Sequence, residues 1–339
     1  MVQLSDQNTD APLSKSFVLW QAGDLSDVLN SQTADLRFDW RNELPVLVIH
    51  EAHKLSESSV RSLRFLPVVL IELSGNSDAS SHVDIVTHSE EELDDLLGRI
   101  ALNPVASVTC CQVLRHSQNV STDLGLLLES VAYGTLQNGN EFEKWLDGRG
   151  RRVRPEEASP TILVNAGVEN VELQLNRPKL KNAFSASMRD SLVEALRGLA
   201  TEGDDRSILI TGKGSTFCIG GDPAEFGTVE NSATGHMIRS TANAAPWLDL
   251  LSERITVQIR GAAIGAGVEL AAFASRVEAS ENAWFSLPEV SMGLIPGAGG
   301  TVSISRRIGR QLTARMCLTG ERVDATTALN WGLVDALVE

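Results

Sequence analysis

The chain has 339 residues, 42% of them hydrophobic and 22% charged, an ordinary globular composition with room for one large or two smaller domains. The formal net charge of −15 argues against a broad cationic surface, so neither nucleic acid nor an anionic membrane is an expected partner. Apolar runs fall short of the roughly 20 residues that a membrane-spanning helix requires. The N-terminal residues are polar and contain no apolar signal region, so we expect a cytoplasmic protein.

The spacing of cysteine and histidine gives no metal site. Two of the four cysteines are adjacent and none are spaced as C-x-x-C, which indicates reduced thiols rather than a disulfide framework or a zinc site. The segment HEAH (50–53) resembles a zinc-protease motif, but its histidines are three residues apart. Histidines must be four apart to share one helix face in that motif, so we expect no bound metal.

The sequence pattern predicts a flexible N-terminus at residues 1–15, followed by a small α/β region over residues 16–150. Runs of aliphatic and β-branched residues at 44–50, 65–74 and 82–88 predict strands. The acidic stretch 89–102 predicts a helix, and apolar residues at helical spacing over 122–146 predict one long helix.

A charged segment with glycine and proline, DGRGRRVRPEEAS (147–159), predicts a linker over 151–159. A second α/β series follows over 160–339, with predicted strands at 161–165, 171–176, 207–212 and 255–261 and predicted helices at 185–200 and 267–275. Strands that alternate with helices favour an open sheet with helices packed outside it and right-handed crossovers.

Glu269 is a lone carboxylate in the apolar stretch GAAIGAGVELA (261–271). A buried charge is costly unless it is paired or used in the chemistry of the protein. The glycines do not match the G-x-G-x-x-G pattern of a dinucleotide site. A glycine turn that opens a helix nevertheless leaves free amides at the positive end of the helix dipole, where an oxyanion can be held.

Three further segments stand out in the second half. In GSTFCIGGDPAEFG (214–227), which follows a predicted strand, adjacent glycines free backbone N–H groups to point into a cleft. In AWFSLPEVSMGLIPGAGGT (283–301), Glu289 precedes a glycine-rich loop. The segment ALNWGLVDALV (328–338) predicts a short helix and a strand. Taken alone, segment 214–227 is better explained as a plain glycine turn after a strand, and Glu289 is equally well explained as a structural carboxylate.

Together these segments resemble the enoyl-CoA hydratase/isomerase (crotonase) superfamily. The resemblance begins near residue 160 and rests on LQLNRPKLKNAFS, FCIGGD, GAAIGAGVEL, LPEVSMGLIPGAGGT and GLVD, which occur in the order of the family. It implies an α/β fold of the crotonase type, a superhelix of repeated ββα units, preceded here by the smaller N-terminal α/β region. It also implies an acyl-CoA thioester as substrate, with coenzyme A part of the substrate and no separate cofactor.

The resemblance also implies the residues of the active site. The two amides of the family's oxyanion hole map onto Ile219 and Ala266, and the two glutamates that surround a catalytic water map onto Glu269 and Glu289. We expect Glu289 to be the principal acid/base and Glu269 to position the water. Two carboxylates in an apolar cleft should raise the pKa of at least one of them. Cys218 lies beside the first amide but has no histidine in these motifs, so we do not expect a nucleophile there.

For the coenzyme A part, the resemblance points to the loop NRPKLKNAFS (176–185). Arg177, Lys179 and Lys181 would meet phosphates, and backbone groups near Ala183 and Phe184 would meet adenine. The alternative is a solvated loop. The family also implies a homo-oligomer, a trimer or a hexamer.

Both glutamates are present, which favours hydration of a 2-enoyl-CoA. The alternatives are another enolate reaction on the same scaffold (isomerisation, thioester hydrolysis or cofactor-independent oxygenation) or a non-catalytic assembly subunit. Family members continue beyond GLVD into helices that cover the site and help to form trimers. Three roles are therefore open for residues 16–150: to supply that cover, to dock another protein, or to form a divergent crotonase-like repeat.

Overall fold

The computed structural model describes residues 18–30, 44–74, 80–150, 160–201 and 204–338. The predicted flexible N-terminus (1–15) and the predicted linker (151–159) lie outside these ranges. Within them, the strands form a four-stranded, a six-stranded and a three-stranded sheet.

The N-terminal sheet is parallel throughout. In order across the sheet its strands are β1 (Val18–Gln21), β2 (Val46–His50), β3 (Val69–Leu73) and β4 (Ile85–Thr87). Helix α1 (Ala22–Asn30) follows β1, and a 3-10 helix (Ala52–Lys54) and α2 (Glu57–Leu63) join β2 to β3. The three predicted strands are confirmed. Strands β2 and β3 are buried on both faces, which explains their continuous aliphatic sequences.

Four helices follow this sheet. They are α3 (Glu90–Leu102), α4 (Pro104–Ser117), α5 (Thr122–Gln137) and α6 (Asn140–Arg149). The predicted acidic helix is confirmed as α3, which begins where the Ser89 hydroxyl accepts a hydrogen bond from the Glu92 amide. The prediction of one helix over 122–146 is wrong, because the chain turns at Asn138 and adopts extended backbone at Gly139 before α6 begins.

The C-terminal part is built on the six-stranded sheet. In order across it, the strands are β13 (Ala336–Val338), β10 (Arg276–Ser280), β8 (Ile255–Ile259), β7 (Ser207–Gly212), β6 (Asn170–Leu175) and β5 (Ile162–Ala166). All neighbours are parallel except β5 and β6, which form an antiparallel hairpin. The four strands predicted for this region are confirmed.

The small sheet carries the elements nearest to the candidate site. Its strands, in order, are β12 (Val323–Asp324), β11 (Trp284–Ser286) and β9 (Ala262–Ile264). The helices of this part are α7 (Ala186–Leu199), α8 (Ser232–Thr241), α9 (Ala245–Leu250), α10 (Ala266–Ala271), α11 (Gly300–Thr319) and α12 (Ala325–Trp331). The predicted helix at 185–200 is confirmed as α7, and the one at 267–275 is shorter than predicted and ends at Ala271.

Helix α11 joins the two parts of the chain. It contacts α3, α4 and α5 on one side and α10 on the other. The buried carboxylate of Asp84 binds Arg115 of α4 and Arg310 of α11, at 3.1 Å in the second case. One continuous hydrophobic core therefore includes residues from both parts, from Leu44 to Val334.

Among the described residues, no single helix has the length and apolar composition to cross a membrane. Helices α3 and α4 meet that criterion only as a pair, and the pair is bent by 106°.

Candidate active site

A glycine turn between β9 and α10 presents the first backbone amide. Gly265 has φ 49° and ψ −124°, a conformation that favours glycine, and its N–H donates to the Ser286 carbonyl at 3.0 Å. The amides of Val268 and Glu269 bond back to the Gly265 carbonyl and start the helix. The Ala266 amide lies in the first turn and donates to no group among the described residues, so it is available to a ligand.

The second backbone amide that faces the cavity is that of Gly221, whereas the sequence predicted that of Ile219. The Ile219 N–H donates to the Lys181 carbonyl at 3.3 Å, and Ile219 does not line the cavity described below. Gly221, two residues on, does line it, and its N–H has no hydrogen-bond acceptor among the described residues. The prediction for Ile219 therefore does not fit the geometry. The Phe184 N–H donates to the Gly220 carbonyl, and the Phe184 carbonyl accepts from the Asp222 N–H, so the Gly221 amide that lies between these two bonds is unpaired.

Glu269 is held by the start of α11. Its side chain is buried, and Oε2 accepts hydrogen bonds from the amides of Ala298 at 2.7 Å and Gly300 at 3.0 Å. Gly300 is the first residue of α11, and a carboxylate is favoured at the unpaired N–H groups of a helix N-terminus. Burial nevertheless raises the pKa of Glu269 well above its usual value, and the charges of Glu289 and Glu129 raise it further. With Oε2 anchored, Oε1 remains for a ligand.

Glu289 opens a short 3-10 helix, Glu289–Met292, and reaches back to the glycine turn. A Cβ atom at Gly265 would lie 2.2 Å from Glu289 Oε1, so only glycine fits beside this carboxylate. The other oxygen, Oε2, is buried and has no hydrogen-bond partner among the described residues. Burial raises the pKa of Glu289 to about 7, with a further contribution from the charge of Glu129. A carboxyl with this pKa can accept or donate a proton near neutral pH.

Glu129 of α5 is a third buried carboxylate that sequence reasoning missed. It accepts hydrogen bonds from the Gly299 amide at 2.7 Å and from the Thr301 amide and hydroxyl at 3.0 and 2.6 Å. Four consecutive amides, 298–301, thus alternate between Glu269 and Glu129. Burial raises the pKa of Glu129 to about 7. The signal was present in the sequence, since Glu129 is also a lone acid in an apolar helical run, LGLLLESVAYG.

One cavity of about 550 Å³ brings these groups together. Gly221, Ala266, Glu269 and Glu289 all line it, and so does Tyr133 of α5. Its wall is therefore built partly from α5, which precedes residue 150. Two unpaired amides can stabilise negative charge on an oxygen, and two carboxyls with raised pKa values can move protons beside it.

The residues predicted for coenzyme A occupy different environments. Arg177 is buried, pairs with Asp222 at 2.8 Å and donates to the Ala183 carbonyl, so a phosphate-binding role does not fit it. Lys179 and Lys181 are exposed on the loop. Ala183 is buried beneath it, and Phe184 lines the cavity. The exposed lysines keep their predicted roles as proposals. The prediction that backbone groups near Ala183 and Phe184 meet adenine does not fit the geometry, because the N–H and carbonyl groups of both residues are already hydrogen-bonded within the protein.

Cys218 is buried, and burial raises the pKa of its thiol to about 12. A thiol that is protonated at neutral pH is a poor nucleophile, in keeping with the prediction.

Residues 164–339, just over half of the chain, match the family model for enoyl-CoA hydratase/isomerase. The chain is similar to the probable mitochondrial enoyl-CoA hydratase 2 of Arabidopsis thaliana, at 35% identity over 50% of this chain and 56% of that protein. It is also similar to the 2,3-dehydroadipyl-CoA hydratase of Escherichia coli, at 37% identity over 48% of this chain and 63% of that protein. The match spans about three-fifths of the length of these relatives.

Among solved structures, the enoyl-CoA hydratase of Thermoplasma volcanium is 29% identical, with a TM-score of 0.49 over 53% of this chain and 72% of that one. Glu129 and Tyr133 lie outside the segment that matches the family model.

Proposed function

The chain belongs to the enoyl-CoA hydratase/isomerase family, and on that premise we propose that it adds water across the 2,3 double bond of an acyl-CoA thioester. One observation carries the proposal. Glu289 lines the cavity together with Glu269, Gly221 and Ala266, and its buried Oε2 has no hydrogen-bond partner among the described residues. A buried carboxyl oxygen with no partner is costly, which is the expected price of a group that handles protons.

The thioester oxygen binds to the amides of Gly221 and Ala266. A water molecule lies between Glu289 and the free oxygen of Glu269. Glu289 takes a proton from this water as its oxygen forms a bond to C3, and the π electrons of the double bond move towards the thioester. The enolate oxygen gains negative charge, and both amides stabilise it. Glu289 then gives this proton to C2, which yields a 3-hydroxyacyl-CoA and returns Glu289 to its carboxylate form.

Hydration needs no cofactor beyond the coenzyme A of the substrate. The proposed site contains two carboxyls and two amides, and these supply the acid/base chemistry and the charge stabilisation. Lys179 and Lys181 are exposed cations on the loop before α7 and would meet the phosphates of coenzyme A.

Product analysis tests the proposal. The full chain is incubated with crotonyl-CoA and with longer and aromatic 2-enoyl-CoAs. Hydration predicts 3-hydroxyacyl-CoA products, isomerisation would give 3-enoyl-CoA, and thioester hydrolysis would give free coenzyme A. Tight binding of acyl-CoA without turnover would overturn the proposal in favour of a non-catalytic role.

Glu72→Gln is a matched control for substitutions of the catalytic glutamates. Glu72 is a buried carboxylate of β3 that accepts hydrogen bonds from the amides of Ala52 and Ser80, away from the cavity. Its loss should lower stability and leave kcat unchanged.

We also propose a cytoplasmic homo-oligomer. The four cysteines are free and buried, as in a reducing compartment. Three apolar side chains of α5, Leu124, Leu127 and Val131, are 44 to 52% exposed along one face, which is typical of a surface that another subunit covers. Light scattering on the purified chain tests the second point: a trimer or hexamer is expected, and a monomer at micromolar concentration contradicts it.

A further inference from the structure

Arg239 of α8 lies in the wall of the cavity and forms no salt bridge with a described carboxylate. Its guanidinium donates to the hydroxyl and carbonyl oxygens of Ser130, at 3.2 and 3.3 Å, and to the Gln137 side chain at 3.2 Å. All three acceptors are neutral. No carboxylate of the described residues lies within 4.0 Å of it.

The other arginine that lines the cavity is different. Arg189 pairs with Asp190 at 2.7 Å. Arg239 is partly buried, and burial lowers its pKa, as expected where the charged form is desolvated. The charge of Glu129 attracts this guanidinium from beyond salt-bridge distance and offsets only part of its desolvation, since the net effect on the pKa is still a decrease. An anionic ligand in direct contact with Arg239 would compensate the rest.

Tyr133, the single tyrosine of the chain, stands beside this cation. The guanidinium carbon of Arg239 lies 4.4 Å from the centre of the tyrosine ring, which itself packs against Gly297. The Tyr133 hydroxyl forms no hydrogen bond with any described residue, and the residue lines the cavity. Two donors from two helices, α5 and α8, thus meet in one wall.

We infer that Tyr133 and Arg239 form a subsite for a carboxylate at the far end of the acyl group, so the preferred substrates are 2-enoyl-CoA thioesters that end in a carboxylate. This inference rests on the proposed function, since it assumes that the cavity holds the acyl chain. Arg239 binds the anion, and the Tyr133 hydroxyl donates a second hydrogen bond to it. Both are specificity residues and take no part in proton transfer.

The test compares pairs of substrates of equal chain length. Each pair has one 2-enoyl-CoA that ends in a methyl group and one that ends in a carboxylate, in a series of about five to eight carbons. The wild-type chain should show a kcat/KM for at least one carboxylate-ended member about 10- to 100-fold above that of its neutral partner, as a charge-assisted hydrogen bond implies.

Substitution of the arginine should remove this preference. Arg239→Gln removes the positive charge and leaves a shorter, neutral side chain that can still donate hydrogen bonds from its amide. It should lower kcat/KM for carboxylate-ended substrates by a similar factor, with less than about a threefold change for neutral ones. Tyr133→Phe should have a smaller effect of the same kind. Arg189→Gln is the matched control, because it removes a cavity arginine that is already paired with Asp190. It should leave kcat/KM unchanged for both the carboxylate-ended and the neutral substrates.

Binding separates a failure of this inference from a failure of the proposed function. The dissociation constants of saturated acyl-CoAs with and without the terminal carboxylate are measured for the same variants. If nothing is hydrated but the carboxylate-ended analogues bind more tightly in an Arg239-dependent way, hydration is wrong and the subsite stands. If neither turnover nor binding distinguishes the members of any pair, or if Arg239→Gln affects both members equally, the subsite is refuted.

Discussion

Replacement of Glu289 by glutamine has opposite effects on activity and stability if this carboxyl is the acid/base of the site. Glutamine has almost the same shape and cannot exchange protons. Loss of a general acid/base typically costs about 10² to 10⁴ in rate, so we expect kcat for hydration to fall within that range. The control Glu72→Gln should keep its kcat.

The stability effect follows from the raised pKa. Burial raises the pKa of Glu289 from 4.5 to about 7. Between these values the folded state retains a proton that the unfolded state has lost, so stability falls as the pH rises through this window. A difference of this size corresponds to at most about 3 kcal/mol above neutral pH. Glu289→Gln lacks this cost and should be more stable than the wild type at about pH 8, and nearly equal to it below about pH 4.5.

Urea denaturation of both proteins across the pH range, together with kcat, checks both parts. A variant that retains wild-type kcat, or that is destabilised equally at all pH values, would refute the assignment of Glu289 as a protonatable acid/base.

Three other perturbations probe the surroundings of this carboxyl. The rate of hydration should decline as the pH falls through about 7, where Glu289 becomes protonated. Glu129→Gln should move that decline to lower pH, because it removes a charge that raises the Glu289 pKa. An unchanged pH–rate profile in this variant would argue against the coupling. Gly265→Ala places a methyl group against Glu289 at positive φ and should abolish activity with a loss of thermal stability. The control Gly98→Ala, where a Cβ meets nothing within 4 Å, should stabilise α3 by about 0.5 to 1 kcal/mol. Similar shifts in melting temperature for the two variants would contradict this expectation. Ala266→Pro removes an amide at the first position of α10, where proline is tolerated, and should lower kcat by about 10² to 10³ in a folded protein; wild-type kcat would exclude this amide from the oxyanion hole.

The fold class could be predicted from the sequence because its signals are local. The aliphatic runs at 44–50 and 65–74 are β2 and β3, and the membership of residues 164–339 in the enoyl-CoA hydratase/isomerase family confirms the α/β fold of the crotonase type. The break between α5 and α6 was missed because apolar spacing continues across Asn138 and Gly139. Periodicity alone does not detect a turn that a single Asn-Gly pair makes.

The acids of the site were visible in the sequence, whereas its amides and its distant walls were not. Glu269 and Glu289 stand out because a carboxylate in an apolar run needs an explanation. A backbone amide has no side-chain signature, so the choice between Ile219 and Gly221 depends on which carbonyls the neighbouring strands occupy. Glu129 belongs to the site through contacts across 170 residues of sequence, which no local pattern reveals.

Of the roles considered for residues 16–150, the structure bears on one, the cover of the site. Helix α5 places Glu129 on the loop that holds Glu269 and places Tyr133 in the cavity wall, which supports a role for this region as cover and support of the site. The parallel sheet β1–β4 contributes none of the residues that line the cavity.

A structure of the Glu289→Gln variant with a bound 2-enoyl-CoA tests the central claim most directly. The account predicts the thioester oxygen within hydrogen-bond distance of the Gly221 and Ala266 amides, with C3 facing a water molecule held by Glu269. A thioester oxygen bound elsewhere, or an acyl chain outside the cavity that Glu269 and Tyr133 line, would contradict it.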